Sequence, residues 1–169
     1  MAEGSEQAEA GVRPAAPRTL GELRAHAIAA HRAGELDAAF AAYRAYLQRR
    51  PRDSGIWTNL GALLRRRGEH LAAAACQRRA QALAPEDATV LNNLGNALQD
   101  ADLLDEALEV RREVLRRRPG DADAHAMLAI ALLSTQRPEE AYREAKTALE
   151  INPDHARAQE ILRALTQSP

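Results

Sequence analysis

Residues 57–85, WTNLGALLRRRGEHLAAAACQRRAQALAP, hold the pattern that decides the fold. Two runs rich in leucine and alanine flank Gly68, and Pro85 follows the second run. Leucine and alanine favour helices, glycine adopts the left-handed backbone conformation of a tight turn, and proline cannot continue a helix. The stretch therefore predicts a helix, a turn at Gly68 and a second helix that ends before Pro85.

The pattern recurs along the chain with a period of 34 residues. Pro51, Pro85, Pro119 and Pro153 follow this spacing and divide the sequence into four units, 20–53, 54–87, 88–121 and 122–155. Small residues that let two helices approach closely recur in each unit, at Ala27, Gly61, Gly95 and Ala129. An aspartate precedes each later unit, at Asp53, Asp87 and Asp121. An aspartate at this place predicts a cap on the next helix, because its carboxylate accepts hydrogen bonds from free backbone N–H groups.

This organisation resembles the tetratricopeptide repeat family. The second unit is the nearest match, with the motif residues Trp57, Leu60, Gly61, Gly68, Ala73, Ala80 and Pro85. The resemblance covers residues 20–155 and implies an all-α fold, a right-handed α-solenoid of four helix-turn-helix repeats. The usual aromatic residue of the second helix is present only in the first unit, and the four units carry Tyr43, Gln77, Arg111 and Ala145 there. These departures predict looser packing in the later units.

The two ends of the chain differ from the repeats. Residues 1–18 are polar and rich in Ala, Glu and Pro, which predicts a disordered tail before an array over 19–169. Residues 156–167 predict one further helix, with Ile161, Leu162 and Leu165 on the side that faces the array. A terminal helix with a polar outer face caps a solenoid.

Three asparagines stand in the first helix of the third unit, within LNNLGNALQD, residues 91–100. Asparagine is a poor helix former, because its side chain competes with the backbone for hydrogen bonds. The resemblance implies that the first helix of each unit lines the concave inner surface of the solenoid. Asn92 and Asn96 stand one turn apart in a polar stripe with Gln99, and we predict that both contact a ligand in this groove.

A second pair of asparagines, Asn59 and Asn93, shares one repeat position. The superhelical arrays of O-linked N-acetylglucosamine transferases resemble this pattern and carry a ladder of asparagines there. Ala25 and Met127 fill the position in units one and four, so the resemblance implies only two rungs. The alternative is that Asn59 and Asn93 are structural.

The other inner positions change in chemical character along the predicted groove. Units one and two contribute Arg24, His31, Arg32, Arg65 and Arg66, and unit four contributes Met127, Ile130 and Leu133, with Asp123 at the edge. The pattern favours a peptide that is acidic in one half and apolar in the other. The alternative is that the arginines are simply solvated and that Ile130 and Leu133 pack against the last helix.

Composition narrows the class of protein. Hydrophobic residues make up 46% of the chain and aromatic residues 3%, which favours packed alanine- and leucine-rich helices. A formal net charge of −1 does not indicate nucleic-acid or membrane binding. The arginine runs at 65–67 and 111–119 lack aromatic neighbours and predict solvated faces. The longest aliphatic run, 126–133, is too short to span a bilayer, and the single cysteine, Cys76, favours a reducing cytoplasmic location.

No catalytic, metal-binding or cofactor-binding pattern is present in the sequence. Cys76 lies in the middle of a predicted helix and predicts a small packing residue. The five histidines share no metal-ligand spacing, and His26 and His125 occupy positions that are normally apolar, which predicts partly buried packing. An excess of arginine and alanine over lysine is typical of a bacterial coding sequence of high GC content.

These patterns favour a non-enzymatic module or scaffold that binds a protein partner, as a peptide or helix, in the groove. One alternative is an accessory region of a bacterial glycosyltransferase or sulfotransferase. Another is a self-assembling scaffold, with Leu20 and Leu23 exposed at the start of unit one. Co-chaperones of the family clamp a C-terminal carboxylate, but the corresponding positions hold Arg24, Ile28, Asn59, Thr89 and Asn93, which do not make that clamp.

Overall fold

The computed structural model describes residues 19–167, and within them the chain forms nine helices and no strand. The predicted disorder of residues 1–18 lies outside the described part. The helices are α1 (Leu20–Ala33), α2 (Leu36–Arg49), α3 (Ser54–Arg66), α4 (His70–Leu83), α5 (Ala88–Asp100), α6 (Leu104–Arg117), α7 (Ala122–Ser134), α8 (Pro138–Ile151) and α9 (Ala156–Gln167). The predicted all-α solenoid of helical repeats is confirmed. Over the same residues, no helix is long and apolar enough to cross a bilayer.

Aspartate caps fix the start of the first helix in units two to four. Asp53 accepts a hydrogen bond from the backbone N–H of Ile56 at 3.0 Å, and Asp121 accepts one from Ala124 at 3.2 Å. Asp87 caps α5 in the same way. Unit one uses a capping box, in which the hydroxyl of Thr19 and the carboxylate of Glu22 each accept from the other's backbone N–H. The predicted aspartate caps are confirmed.

The turn between the two helices of each unit contains one residue in the left-handed conformation. Gly34 and Gly68 have φ of 81° and 77°, and Asp102 and Gln136 have φ of 58° at the equivalent positions. Only glycine adopts this conformation without a steric cost. The fold therefore imposes the same turn on all four units, even where Gln136 is a poor choice for it.

The helices form two rows. The first helices of the units and the terminal helix (α1, α3, α5, α7 and α9) are called the first-helix row here, and the second helices (α2, α4, α6 and α8) form the other row. Helices of the first-helix row touch one another directly, as α3 does α5 and α7 does α9. Within each unit, small buried residues bring the two helices together, among them Ala27, Ala39, Ala73, Ala129 and Ala141, which are fully buried.

Two predictions of packing from the sequence are wrong. Gln77 and Arg111 are 0% and 1% exposed and lie between the two helices of their units, and the looser packing predicted for the later units stays a prediction. Arg111 is therefore not part of a solvated face. His26, predicted to be partly buried, is exposed, because no helix among the described residues precedes α1.

Other packing predictions are confirmed. His125 is buried, and in α9 Ile161 is buried while Leu162 is half-buried against the same apolar cluster. The remaining arginines near the end of α6 form exposed ion pairs three or four residues apart, such as Arg112 with Glu109 at 2.8 Å.

Candidate functional site

The centre of the first-helix row is built around an arginine that belongs to the other row. Arg111 extends from α6 across α5 at Gly95, where a Cβ atom would lie 2.7 Å from the guanidinium carbon and 2.9 Å from Nε. Such distances are far shorter than normal van der Waals contact. The missing side chain at Gly95 is therefore what allows the guanidinium group to lie between the two helices.

The guanidinium group of Arg111 is held by the two asparagines of the polar stripe. Nη1 donates to Oδ1 of Asn92 at 3.4 Å, and Nη2 donates to Oδ1 of Asn96. Nε is buried and has no acceptor among the described residues, and no described carboxylate forms an ion pair with Arg111. The asparagines that seemed costly for a helix thus supply the acceptors that a buried cation requires.

The pKa of Arg111 is lowered to about 10, first by burial and then by the charges of Arg157 and Arg65. At neutral pH the group is still protonated, so a positive charge remains in the interior. Arg65 forms an ion pair with Asp100, which offsets its own charge. The hydrogen-bond partner of Arg157 is the uncharged sulfur of Met127, which accepts from Nη1 at 2.9 Å.

The other units carry different side chains at the repeat position of Arg111. In unit two, Nε2 of Gln77 donates to the backbone carbonyl of Thr58 at 3.0 Å, across Gly61. In unit one, the hydroxyl of Tyr43 lies 3.2 Å from Nδ1 of His31. Ala145 in unit four has no polar group to place. Only unit three therefore brings a charged side chain to this position.

The remaining predicted site residues fall into three groups. Arg24 lies 3.7 Å from Asp53, Arg66 donates to the carbonyl of His31 at 3.4 Å, and Gln99 donates to the hydroxyl of Ser134 at 3.4 Å. These contacts join neighbouring elements of the array. In contrast, the half-buried side chains of Asn59 and Asn93 make no hydrogen bond to another described residue. Ile130 and Leu133 pack at the edge of the apolar cluster of unit four.

Comparison with known families identifies the repeats. Sequence models described as tetratricopeptide repeat match residues 24–88 and 98–165, which together cover most of the chain. The chain belongs to the tetratricopeptide repeat family. Proteins made only of such repeats are typically non-catalytic. No curated protein matches the sequence at a significant level.

Solved structures of tetratricopeptide repeat proteins share the fold. MamA from Desulfovibrio magneticus (residues 41 to the end) superimposes with a TM-score of 0.80 at 18% identity, over 89% of this chain and 86% of that one. A repeat protein from Parabacteroides merdae gives 0.78 at 22% identity, over 87% and 60%. YrrB, described as a tetratricopeptide repeat protein with an unusual peptide-binding site, gives 0.79 at 21% identity, over 86% and 75%.

Two arginines that contact residues of the first-helix row, Arg111 and Arg157, were not among the predicted site residues. The signal for Arg111 was present in the repeat alignment, because the units with a glycine in the first helix (Gly61 and Gly95) are those with a long polar residue in the second (Gln77 and Arg111). No comparable signal marked Arg157, which lies outside the repeats.

The thiol and imidazole groups that could take part in chemistry are buried or held by contacts within the fold. Cys76 is 8% exposed, and burial raises the pKa of its thiol to about 11, so the unreactive protonated form dominates at neutral pH. His125 lies between the carboxylate of Glu144, at 2.7 Å, and the carbonyl of Pro119, at 3.0 Å. Among residues 19–167, no cluster of three or more His, Cys, Asp or Glu side chains could hold a metal ion.

The prediction that Leu20 and Leu23 are exposed at the start of unit one is wrong. Leu23 is 8% exposed and packs in the core, and Leu20 is only partly exposed against the same cluster. The apolar residues of α1 are used for packing against α2. The self-assembly alternative thus loses the feature on which it rested.

Proposed function

We propose that this tetratricopeptide repeat protein is a non-enzymatic interaction module, located in the cytoplasm, that binds a protein partner along the first-helix row. Membership of the family supports a protein-interaction module. The partner presents an extended peptide or a helix, and no cofactor takes part. YrrB, a protein of the same fold, is described as having a peptide-binding site.

The observation that carries this proposal is the set of unused polar groups on the first-helix row. Asn59 and Asn93 are half-buried, each in the middle of a helix where asparagine is unfavourable, and neither makes a side-chain hydrogen bond to a described residue. A carboxamide offers both donors and an acceptor to a peptide backbone. Because the helices are already packed, the surface is preformed, and the entropy cost of binding falls mainly on the partner.

A position-specific cross-linking experiment tests the proposal. The full chain is first used to select binders from a library of random 12-residue peptides displayed on phage. A photo-reactive amino acid then replaces Asn93 or, as a control in the other row, the exposed Ala82 of α4. The selected peptides are expected to cross-link from position 93 and not from position 82. Recovery of no binding peptide, or cross-linking from position 82 alone, would overturn the proposal.

A further inference from the structure

A cleft with mostly apolar walls lies between α2 and α4, the first two helices of the other row. Its volume is about 420 Å³, and its walls include Phe40 and Leu47 of α2 and Trp57, Leu60 and Leu64 of α3. Phe40 and Trp57 are only half-buried. Helix α2 also packs less closely against α3 than α4 does against α5. Apolar side chains are therefore left in contact with water in a concave part of the surface, which is typical of an interaction site.

One arginine at the edge of this cleft has no counter-charge. The guanidinium carbon of Arg44 lies 5.5 Å from the centroid of the Phe40 ring, and the exposed side chain forms no ion pair within residues 19–167. A second cation, Arg67, lies 4.9 Å from the same ring. Its charge is offset by Asp37 at 2.8 Å and by Glu69, which also lines the cleft, at 2.7 Å. Arg44 is therefore the cation of the cleft that a carboxylate from outside could meet.

The next cleft along the array contains the carboxylate that this one lacks. One repeat later, Arg78 takes the place of Arg44, and its Nη2 donates to the carboxylate of Glu106 at 2.6 Å. Arg78 and Glu106 both line the cleft between α4 and α6, so their ion pair spans it. Ala72 stands at the repeat position of Glu106. The cleft between α2 and α4 thus has the arginine of this pair and, opposite it, only a methyl group.

The walls of the two clefts differ in the same direction. Phe40 and Leu47 are replaced by Ala74 and Gln81 one repeat later, so the first cleft is the more apolar of the two. A ligand that covers these walls gains from burying apolar surface. A ligand that also carries a negative charge close to that apolar group meets Arg44, and complementary charge fixes its orientation.

We propose that the cleft between α2 and α4 binds a helical segment of a partner protein through one large apolar side chain and one carboxylate. The apolar side chain packs against Phe40 and Trp57, and the carboxylate pairs with Arg44, in the role that Glu106 has in the next cleft. On a helix, residues three or four positions apart share a face, so an aspartate or glutamate at that distance from the apolar residue reaches the arginine. An apolar centre with a polar rim is the usual composition of a protein interface, and exposed Gln48 supplies part of the rim. This surface lies in the other row and is separate from the binding proposed for the first-helix row.

The variant Ala72→Glu closes the cleft with a residue that the chain itself uses one repeat later. Its carboxylate is expected to pair with Arg44, and an acidic residue is favourable in the first turn of α4, so the fold is retained. The control, Ala82→Glu, makes the same change of net charge at an exposed position of α4 outside the cleft. A third variant, Arg44→Gln, removes the charge and leaves the apolar walls. All three are expected to unfold cooperatively on heating, as the wild type does.

Peptides that bind the cleft are obtained by a subtractive selection. The phage library of random 12-residue peptides is first depleted on Ala72→Glu, which retains the first-helix row, and is then selected on the wild-type full chain. The recovered peptides are expected to carry a large apolar residue and an Asp or Glu three or four positions from it. Fluorescence anisotropy should show binding about tenfold or more weaker to Ala72→Glu and to Arg44→Gln, and unchanged to Ala82→Glu. Changing the acidic residue of the peptide to its amide should weaken binding to the wild type but not to Arg44→Gln.

Contrary results identify the part that is wrong. Recovery of no peptide by the subtractive selection would overturn the proposal, and so would peptides that bind Arg44→Gln as tightly as the wild type. Association of the wild type with itself in sedimentation, lost in Ala72→Glu, would assign the cleft to a second copy of this chain instead. Binding of octanoate to the wild type but not to Ala72→Glu, with no peptide recovered, would assign it to a small amphipathic carboxylate. None of these results bears on cross-linking from position 93, which tests the first-helix row.

Discussion

Units two and three place different side chains at the same repeat position, and each pair of helices is adapted to its own. In both units a glycine in the middle of the first helix leaves room for a long polar side chain, which crosses the helix there and comes from the second helix. Gln77 is neutral, and a backbone carbonyl, that of Thr58, satisfies its amide nitrogen. Arg111 is charged and takes side-chain oxygens from Asn92 and Asn96. The comparison indicates that a neutral crossing residue is satisfied by the backbone of the first helix, whereas a charged one is accompanied by polar side chains on that helix.

Removing both acceptors of Arg111 should produce the largest effect on stability. The double variant Asn92→Ala with Asn96→Ala leaves a buried guanidinium group without a partner, which costs about 3–5 kcal/mol of unfolding free energy. Urea unfolding followed by circular dichroism measures the loss. In an Arg111→Met background the same two substitutions should cost far less, since no charge remains to be satisfied. Equal losses in both backgrounds would show that the asparagines stabilise the helix independently of Arg111.

Placing a charge in unit two, where the acceptors of unit three are missing, should destabilise the fold. Gln77→Arg introduces a guanidinium group where Thr58 and Ala62 stand in place of Asn92 and Asn96. We expect a loss of about 3 kcal/mol, and partial recovery when Thr58→Asn and Ala62→Asn are added. Urea unfolding of the single and triple variants tests this. If the triple variant were no more stable than Gln77→Arg, the acceptors alone would not explain how unit three tolerates its arginine.

The glycine of unit three can be tested by adding one carbon atom. Gly95→Ala places a Cβ 2.7 Å from the guanidinium carbon of Arg111, so the arginine has to move within a packed site. Overpacking of this kind costs about 1–3 kcal/mol. The same substitution in the Arg111→Ala background should be neutral or stabilising, because alanine is the better helix former. Thermal unfolding of the four proteins gives the coupling between the two positions.

The smallest effect is expected at the asparagines without a partner. Asn59→Ala and Asn93→Ala remove no side-chain hydrogen bond to a described residue and should change the unfolding free energy by less than about 0.5 kcal/mol. Chemical unfolding of each single variant checks this. A loss above 1 kcal/mol at either position, on the order of a hydrogen bond, would mean that these asparagines belong to the fold and not to a binding surface.

The features that the sequence predicted well depend on local chemistry. The caps at Asp53 and Asp121 and the left-handed turns at Gly34 and Gly68 need only residues within a few positions of one another. The period of 34 residues then repeats these caps and turns from one unit to the next. The side of α9 that is buried follows from the same information.

The candidate site was harder to predict, because it depends on which way long side chains turn. Arg111 stands at the head of an arginine run, and its neighbours Arg112 and Arg116 do form exposed ion pairs. Composition alone gives no reason to separate Arg111 from them. Asn92 and Asn96 were correctly assigned to a polar stripe, but their bonds to Arg111 cross between two helices and required a view of the repeat register together with Gly95. Whether they also bind a ligand is still a proposal.

All the parts that hold the buried guanidinium, Asn92, Gly95, Asn96 and Arg111, lie within the single unit 88–121. A single unit therefore contains every residue that holds the guanidinium group, and no neighbouring unit contributes to it. Tandem copies of this unit would therefore carry one buried charge every 34 residues, each with its own acceptors.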